Sequence, residues 1–368
     1  MGIRARRFGI PPWFWGPAGR SAPALPGGAW RAHIAEAGGR EAGEDGTVTM
    51  SEDGEVRPEV KTLRRGRAKA ADPATLDGFE LRPDPTDPRL TERVRGVDQD
   101  GVAIETAVVV ERPLTLFLNG QEIVTLMTIG DFPEYLALGY LLNQNMLRSD
   151  DEITGIDVDE ELDVVVVRTA RATDFEDKLK KKTRTSGCAQ GTAFGDLMER
   201  FEGIALAQDT VLKTSWLYAL SRKINTTPSL YLEAGAIHGC VLCREDRPLV
   251  YMEDVGRHNA VDKIAGYMFD KGLTPEDKIF YTTGRLTSEM VIKTVQMGIP
   301  ILISRSGFTA WGVDLARQAN LTLIGRAKGK RFVALAGEGR IVHDFDPATV
   351  AEEDARHQRK GSQEDDAA

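Results

Sequence analysis

From residue 210 onward, short apolar runs alternate with stretches of helical period, and this alternation limits the fold more than any single motif does. Runs at 236–242, 249–252, 279–281, 301–304, 322–324 and 331–336 are short and apolar enough to be strands. Helices are predicted over 216–224, 259–271, 288–297 and 309–319, with Asn259 and Asp262 as a capping pair for the second. Strands separated by helices of about 10–15 residues form βαβ units, so a mixed, largely parallel sheet flanked by helices is expected. The fold class is α/β (α+β).

Ahead of that region the pattern is β-rich. Strands are predicted at 106–111, 114–118 and 123–129, with Asn119-Gly120 as the hairpin turn between the last two. Asp131 and Glu134 have the spacing of a capping box and open a helix that runs to Met146. Strands at 153–158 and 162–168 follow, then short helices at 174–182 and 193–201. The first hundred residues, dominated early by Gly, Pro and Ala, keep no period and cannot offset their chain entropy by burial. The expected division is an extension over 1–102, with Met50 as an alternative start, and a β-rich subdomain over 103–175. A cysteine loop at 176–202, an α/β subdomain at 203–345 and a charged tail at 346–368 complete it.

Composition removes several function classes. A net charge of -9 over 368 residues argues against a nucleic-acid partner. No run of about 18 apolar residues exists to span a membrane. Three cysteines do not make a disulfide framework and suit a reducing compartment. Arg6-Arg7-Phe8 has the look of a twin-arginine signal, but Pro11, Pro12 and Pro17 break the apolar stretch it would need. A cytoplasmic protein is expected.

Three features carry chemistry. The first is the loop at 178–196, where Cys188 follows Lys178, Lys180, Lys181, Lys182 and Arg184 and is surrounded by Gly187, Gly191 and Gly195. Positive charge lowers a thiol's pKa and exposes the nucleophilic thiolate; the alternative is a solvated lysine-rich loop that happens to hold a cysteine. The second is a set of loops at strand ends: Phe280-Tyr281-Thr282-Thr283-Gly284-Arg285, then Ser304-Arg305-Ser306-Gly307, then Gly325-Arg326-Ala327-Lys328. Ligands of open α/β sheets bind at carboxyl strand ends, and hydroxyls, glycines and arginines suit phosphate, so a nucleotide or dinucleotide site is expected. Loops of this kind are also rich in Ser, Thr and Gly for turn geometry alone. The third is the cluster from Glu253 to Asn259, including Asp254, Arg257 and His258, which suits an ion-paired scaffold that also contacts ligand. Cys240-Val241-Leu242-Cys243 with His238 has zinc-like spacing, against which Val241 and Leu242 look like strand interior. No structural metal is expected.

Glu253-Asp254-Val255-Gly256-Arg257-His258-Asn259-Ala260-Val261-Asp262-Lys263 closely resembles the FdhD family, the formate dehydrogenase accessory sulfurtransferases. Thr283-Gly284-Arg285 with Ser288-Glu289-Met290, and 298–306 ending in Ser304-Arg305-Ser306, carry the same resemblance, which extends over 103–336. It implies a cytidine-deaminase-like fold without the deaminase zinc site. It implies a sulfur carrier between a cysteine desulfurase and a molybdenum bis(molybdopterin guanine dinucleotide) cofactor, or its tungsten analogue, destined for formate dehydrogenase. Cys188 then carries the sulfur as a persulfide. Residues 280–285 match the family's cofactor-binding stretch; Ser304, Arg305 and Arg326 from the strand-end loops and His258 from the polar cluster are expected to add contacts to the guanine-nucleotide moiety, and a homodimer is admitted. Gly191 stands where many members have a second loop cysteine, Ala234-Gly235-Ala236 where Thr-Gly-Gly is common, and Gly307-Phe308 where Ala-Pro is usual. Two other classes stay open: a non-catalytic chaperone that only holds the cofactor, and a deaminase-like zinc hydrolase.

Overall fold

The computed structural model describes residues 61–62, 78–171, 184–185, 191–192, 198 and 201–345. In chain order it opens with β1 (Lys61–Thr62), β2 (Thr91–Val97), β3 (Ala103–Val109), β4 (Arg112–Leu118) and β5 (Gln121–Thr128). Helix α1 (Pro133–Asn143), β6 (Ile153–Asp159), β7 (Val164–Thr169) and the two-residue strands β8 (Arg184–Thr185) and β9 (Gly191–Thr192) follow. Then come β10 (Leu212–Lys213), α2 (Thr214–Thr226), the short α3 (Leu230–Glu233), β11 (His238–Arg244), β12 (Arg247–Asp254) and α4 (Arg257–Asp270). The rest is β13 (Ile279–Thr282), α5 (Ser288–Gln296), β14 (Ile301–Ser304), α6 (Ala310–Gln318), β15 (Thr322–Lys328), β16 (Arg331–Ala336) and β17 (Ile341–Val342).

Six strands make the main sheet in the order β12-β11-β13-β14-β15-β16. Only β13, β14 and β15 run parallel; β11, β12 and β16 are antiparallel to their neighbours. The sheet is mixed, as expected, with its parallel part confined to the three central strands. The reason is local: β11–β12 and β15–β16 are hairpins, closed by Glu245 (φ 53°) and Gly329 (φ 59°) in the left-handed region. Alternate residues of the parallel strands feed two cores. Phe280, Leu302 and Leu323 pack with Val261, Ile264, Met290 and Val291 from α4 and α5. Tyr281, Ile303 and Ile324 pack with Leu217, Leu220 and Ile224 from α2. Burial on both faces explains why these strands are continuously apolar.

A second sheet, β5-β4-β7-β6, carries α1 on one face, with Leu116, Leu118, Val165 and Val167 against Leu138 and Leu141. Asn119 (φ 49°) and Gly120 (φ 87°) close its hairpin as the sequence requires. Helix α1 crosses α4 at two glycines: a Cβ on Gly139 would overlap the Asp262 carbonyl oxygen, and one on Gly266 the Tyr135 carbonyl oxygen. Both obstacles are backbone, which no rotamer change relieves. Gly266→Ala should therefore cost about 3 kcal/mol, the upper range for overpacking, visible as a lowered urea midpoint.

Three expectations change. Residues 78–102, taken from the sequence as extension, join the fold: β2 pairs antiparallel with β3, Leu81 bridges Val250, and Leu90 is buried. Asp131 does not cap α1, whose N-cap is Phe132 (φ 47°); Asp131 pairs instead with Lys263. Asn259 and Asp262 lie inside α4, whose N-cap is Gly256, and both are buried in polar networks. The extension up to residue 60, the helix expected at 174–182, most of that at 193–201, and the tail from 346 lie outside the described residues.

Candidate functional site at the carboxyl ends of β13, β14 and β15

The parallel strands lie side by side, and hydrogen bonds join the loops that follow β13 and β14 to each other and to β15. Leu286 N donates to Gly307 O (2.9 Å) and Thr309 N to Leu286 O (3.0 Å), joining the first two loops. Residues 325–328, expected from the sequence as a third loop, are instead the bulged end of β15, with Arg326 at φ 54°; Arg326 N donates to Ser306 O (2.8 Å) and joins the second loop to that strand. Hydroxyls inside the strand ends stiffen the turns: Thr282 Oγ1 accepts from Gly284 N (3.1 Å), while Ser304 Oγ donates to Gly284 O (2.6 Å) and accepts from Ser306 N (2.9 Å). The result is one edge on which Arg285, Arg305 and Arg326 are all exposed.

The nominated residues fall into two groups. Arg285, Arg305, Arg326 and the half-buried Thr283 are at the surface. Phe280 and Tyr281 are wholly buried on opposite faces of the sheet and Thr282 and Ser304 lie beneath the turns, so these four shape the edge rather than line it. His258, also buried, sits behind the edge with Nε2 2.9 Å from Glu289 Oε2. Burial pushes its imidazole below the usual histidine range against the pull of Glu289. His238, half-buried with Nδ1 3.5 Å from Thr283 Oγ1, is pushed down by burial and then by Arg257 and Arg285, which favours a neutral ring. A Cβ on Gly284 would crowd the Arg257 side chain at 3.1 Å, so the Thr-Gly-Arg turn lets that buried guanidinium stem pass beneath it.

Two residues that the sequence did not single out belong here. Arg305 Nη1 donates to Asn225 Oδ1 (3.3 Å) and Nη2 to the Tyr231 hydroxyl (3.3 Å), with its guanidinium 5.1 Å from the Tyr231 ring centroid. Asn225 is on α2 and Tyr231 on α3, some 80 and 74 positions from Arg305, and no local motif marks either.

The FdhD/NarQ family model matches residues 109–342, which spans both of these sheets and all three arginines. The chain belongs to the FdhD/NarQ family. A protein named sulfur carrier protein FdhD from Listeria monocytogenes is 28% identical over 241 residues, covering 65% of this chain and 92% of the relative. Its namesake from Bacillus subtilis is 29% identical over 239 residues, covering 65% and 91%. A crystal structure from Desulfotalea psychrophila, assigned as a formate dehydrogenase accessory protein, superposes with a TM-score of 0.56 at 28% identity. It covers 69% of this chain and 99% of that one.

The longest motif that this FdhD/NarQ chain carries, Glu253 to Lys263, is a buried ionic scaffold under the edge. Lys263, fully buried, pairs with Asp254 (2.7 Å) and Asp131 and donates to Glu253 O (3.0 Å). Asp254 also accepts from Thr128 Oγ1 (2.5 Å) and Asn259 Nδ2 (2.9 Å). Asp262 takes Lys293 Nζ on both oxygens (2.7 Å each) and Asn143 Nδ2 (2.7 Å). Gly307-Phe308, a departure from the usual family sequence, is absorbed by packing: the Phe308 ring lies where a Cβ on Gly325 would be.

The cysteines separate cleanly. Cys240 and Cys243 are both buried in β11, three positions apart, and face opposite sides of the sheet, so they do not converge on one ion. Burial pushes the Cys240 thiol up to about 12 and the Cys243 thiol higher still. Cys188 lies outside the described residues; the strands on either side of it in sequence, β8 and β9, pair antiparallel with Arg184 opposite Thr192. Among the described residues no helix is long and apolar enough to cross a membrane.

Proposed function

We propose that this protein is a sulfur carrier for formate dehydrogenase maturation, with Cys188 as the sulfur-bearing residue. The observation that carries the reading is the state of the other two thiols: with pKa values raised this far in a sheet interior, neither supplies a thiolate at neutral pH. Sulfur chemistry therefore falls on Cys188, in its setting of Lys180, Lys181, Lys182 and Arg184. The Cys188 thiolate attacks the terminal sulfur of a cysteine desulfurase persulfide. That sulfur–sulfur bond breaks, the desulfurase cysteine leaves as its thiolate, and the new persulfide resides on Cys188.

The acceptor is the molybdenum bis(molybdopterin guanine dinucleotide) cofactor or its tungsten analogue, held as cargo before it enters the dehydrogenase. Support for a guanine-nucleotide site comes from three exposed arginines, two on strand-end loops and one in the bulged end of β15, joined by backbone hydrogen bonds, with Thr283 and His238 on the β11 side of Arg285. Arginine binds phosphate through paired, charge-assisted hydrogen bonds, and stiff loops lower the ordering cost. Arg285→Ala should weaken guanosine diphosphate by about 1.5–3 kcal/mol, the range for a hydrogen bond to a charged group. Calorimetry with that nucleotide checks this; unchanged affinity would remove Arg285 from the site.

A further inference from the structure

Glu253 is buried at the end of β12, yet its carboxylate does not serve the ionic scaffold beside it. Lys263 takes only its backbone carbonyl. The carboxylate instead accepts Leu230 N (2.7 Å), Tyr231 N (3.1 Å) and the Tyr251 hydroxyl (3.2 Å). Leu230 and Tyr231 open α3, and the leading amides of a helix have no partner within it. The next amide, Leu232 N, goes to Ser229 Oγ (3.4 Å). A four-residue helix has almost no stability of its own, so these side chains set where it lies.

Tyr231 is the residue on that turn which meets the edge. Its hydroxyl and ring hold the Arg305 guanidinium, with Asn225 on the other side. A free arginine side chain has substantial rotamer entropy to lose on binding. An arginine already ordered has less to lose.

We propose that Glu253 is a positioning residue for the strand-end site: by fixing α3 it seats Tyr231, and Tyr231 orders Arg305 for an anionic ligand. This rests on the guanine-nucleotide reading above. Burial, chiefly, raises the Glu253 carboxyl to about 7, with Asp131 adding to the rise; Tyr251 and the two amides oppose it, and Lys263 faces its backbone. Below that pH the carboxyl is protonated and one oxygen becomes a donor, so it holds the two amides less well. The seat of Arg305 tightens as pH rises through about 7.

The test is calorimetry with guanosine diphosphate from pH 6 to 8, on wild type, Glu253→Gln, Arg305→Ala and the double variant. Glu253→Gln should weaken binding about tenfold at pH 8 and much less at pH 6. Comparing the two profiles removes the titration of the nucleotide phosphate itself. In the Arg305→Ala background Glu253→Gln should add nothing, and Tyr231→Ala should reproduce the loss if Glu253→Gln fails to fold. Additive losses, or a difference from wild type that is the same at both pH values, would overturn the proposal. The Arg305 side-chain NMR resonance of ligand-free protein separates the two readings, because the Tyr231 ring shifts it. Loss of that shift in Glu253→Gln supports the positioning role even if guanosine diphosphate fails to bind wild type, a failure that would sink only the nucleotide reading. An unchanged resonance would contradict the positioning role.

Discussion

Formate dehydrogenase activity in a host that depends on this protein should fall to background with Cys188→Ala, while guanosine diphosphate still binds with nearly wild-type affinity. Both halves follow from where the thiols are. Cys240 donates to Thr282 Oγ1 (3.3 Å) and Cys243 packs among Tyr281, Ile301 and Ile324, so neither can be reached by a donor enzyme. A sulfur carrier without Cys188 has no thiolate left to load. On the proposed reading the nucleotide is held by Arg285, Arg305 and Arg326, far from Cys188 in sequence, so its binding should not require the thiol. Maturation that survives in Cys188→Ala would transfer the function to a holding role, in which the cofactor is bound and passed on without sulfur chemistry.

Lys263→Met should destabilise the fold by about 3–5 kcal/mol near neutral pH, the usual cost of leaving buried charge uncompensated. Lys263 is wholly buried, and it is the cation for Asp254, also wholly buried, and for Asp131. Burial already raises the Asp131 carboxyl against the pull of Lys263. Without that lysine its folded pKa rises further. A carboxyl with a raised folded pKa favours the folded state only while protonated, and that contribution is lost as pH climbs through the folded value. The gap between variant and wild type should therefore be smallest near pH 4 and widen toward neutrality. Urea unfolding at several pH values checks this; a gap independent of pH would mean that lost packing, not charge, sets the cost.

The sequence is informative where each residue's environment is set by its neighbours along the chain. Apolar runs such as Ile279-Phe280-Tyr281 and Ile301-Leu302-Ile303 are the parallel strands, and Asn119-Gly120 is the hairpin turn. The loop positions of Arg285 and Arg305 could be read because each follows an apolar strand run, whereas Arg326 lies within β15. Partners chosen across the fold could not. Asp131 and Asp262 have the spacing of caps, yet Lys263 and Lys293 claim them from other elements. Tyr231 and Asn225 have no local signature, and only the return of α2 and α3 to the end of β14 brings them to Arg305. Phe280 and Tyr281 sit in the stretch that resembles the family's cofactor-binding segment, but the strand that delivers Arg285 to the edge also buries them. Strand β2 was missed because its residues, Thr91 to Val97, are largely exposed and lack the alternation that marks a half-buried strand.

Sulfur on Cys188 tests the central claim most directly. Intact and peptide mass spectrometry would follow the full chain after incubation with a cysteine desulfurase and cysteine, then again after a thiol reductant. The carrier reading predicts the mass of one added sulfur atom, on the Cys188 peptide alone, removed by the reductant and absent from Cys188→Ala. An unmodified Cys188 in protein exposed to an active desulfurase, or sulfur found on Cys240 or Cys243 instead, would contradict it.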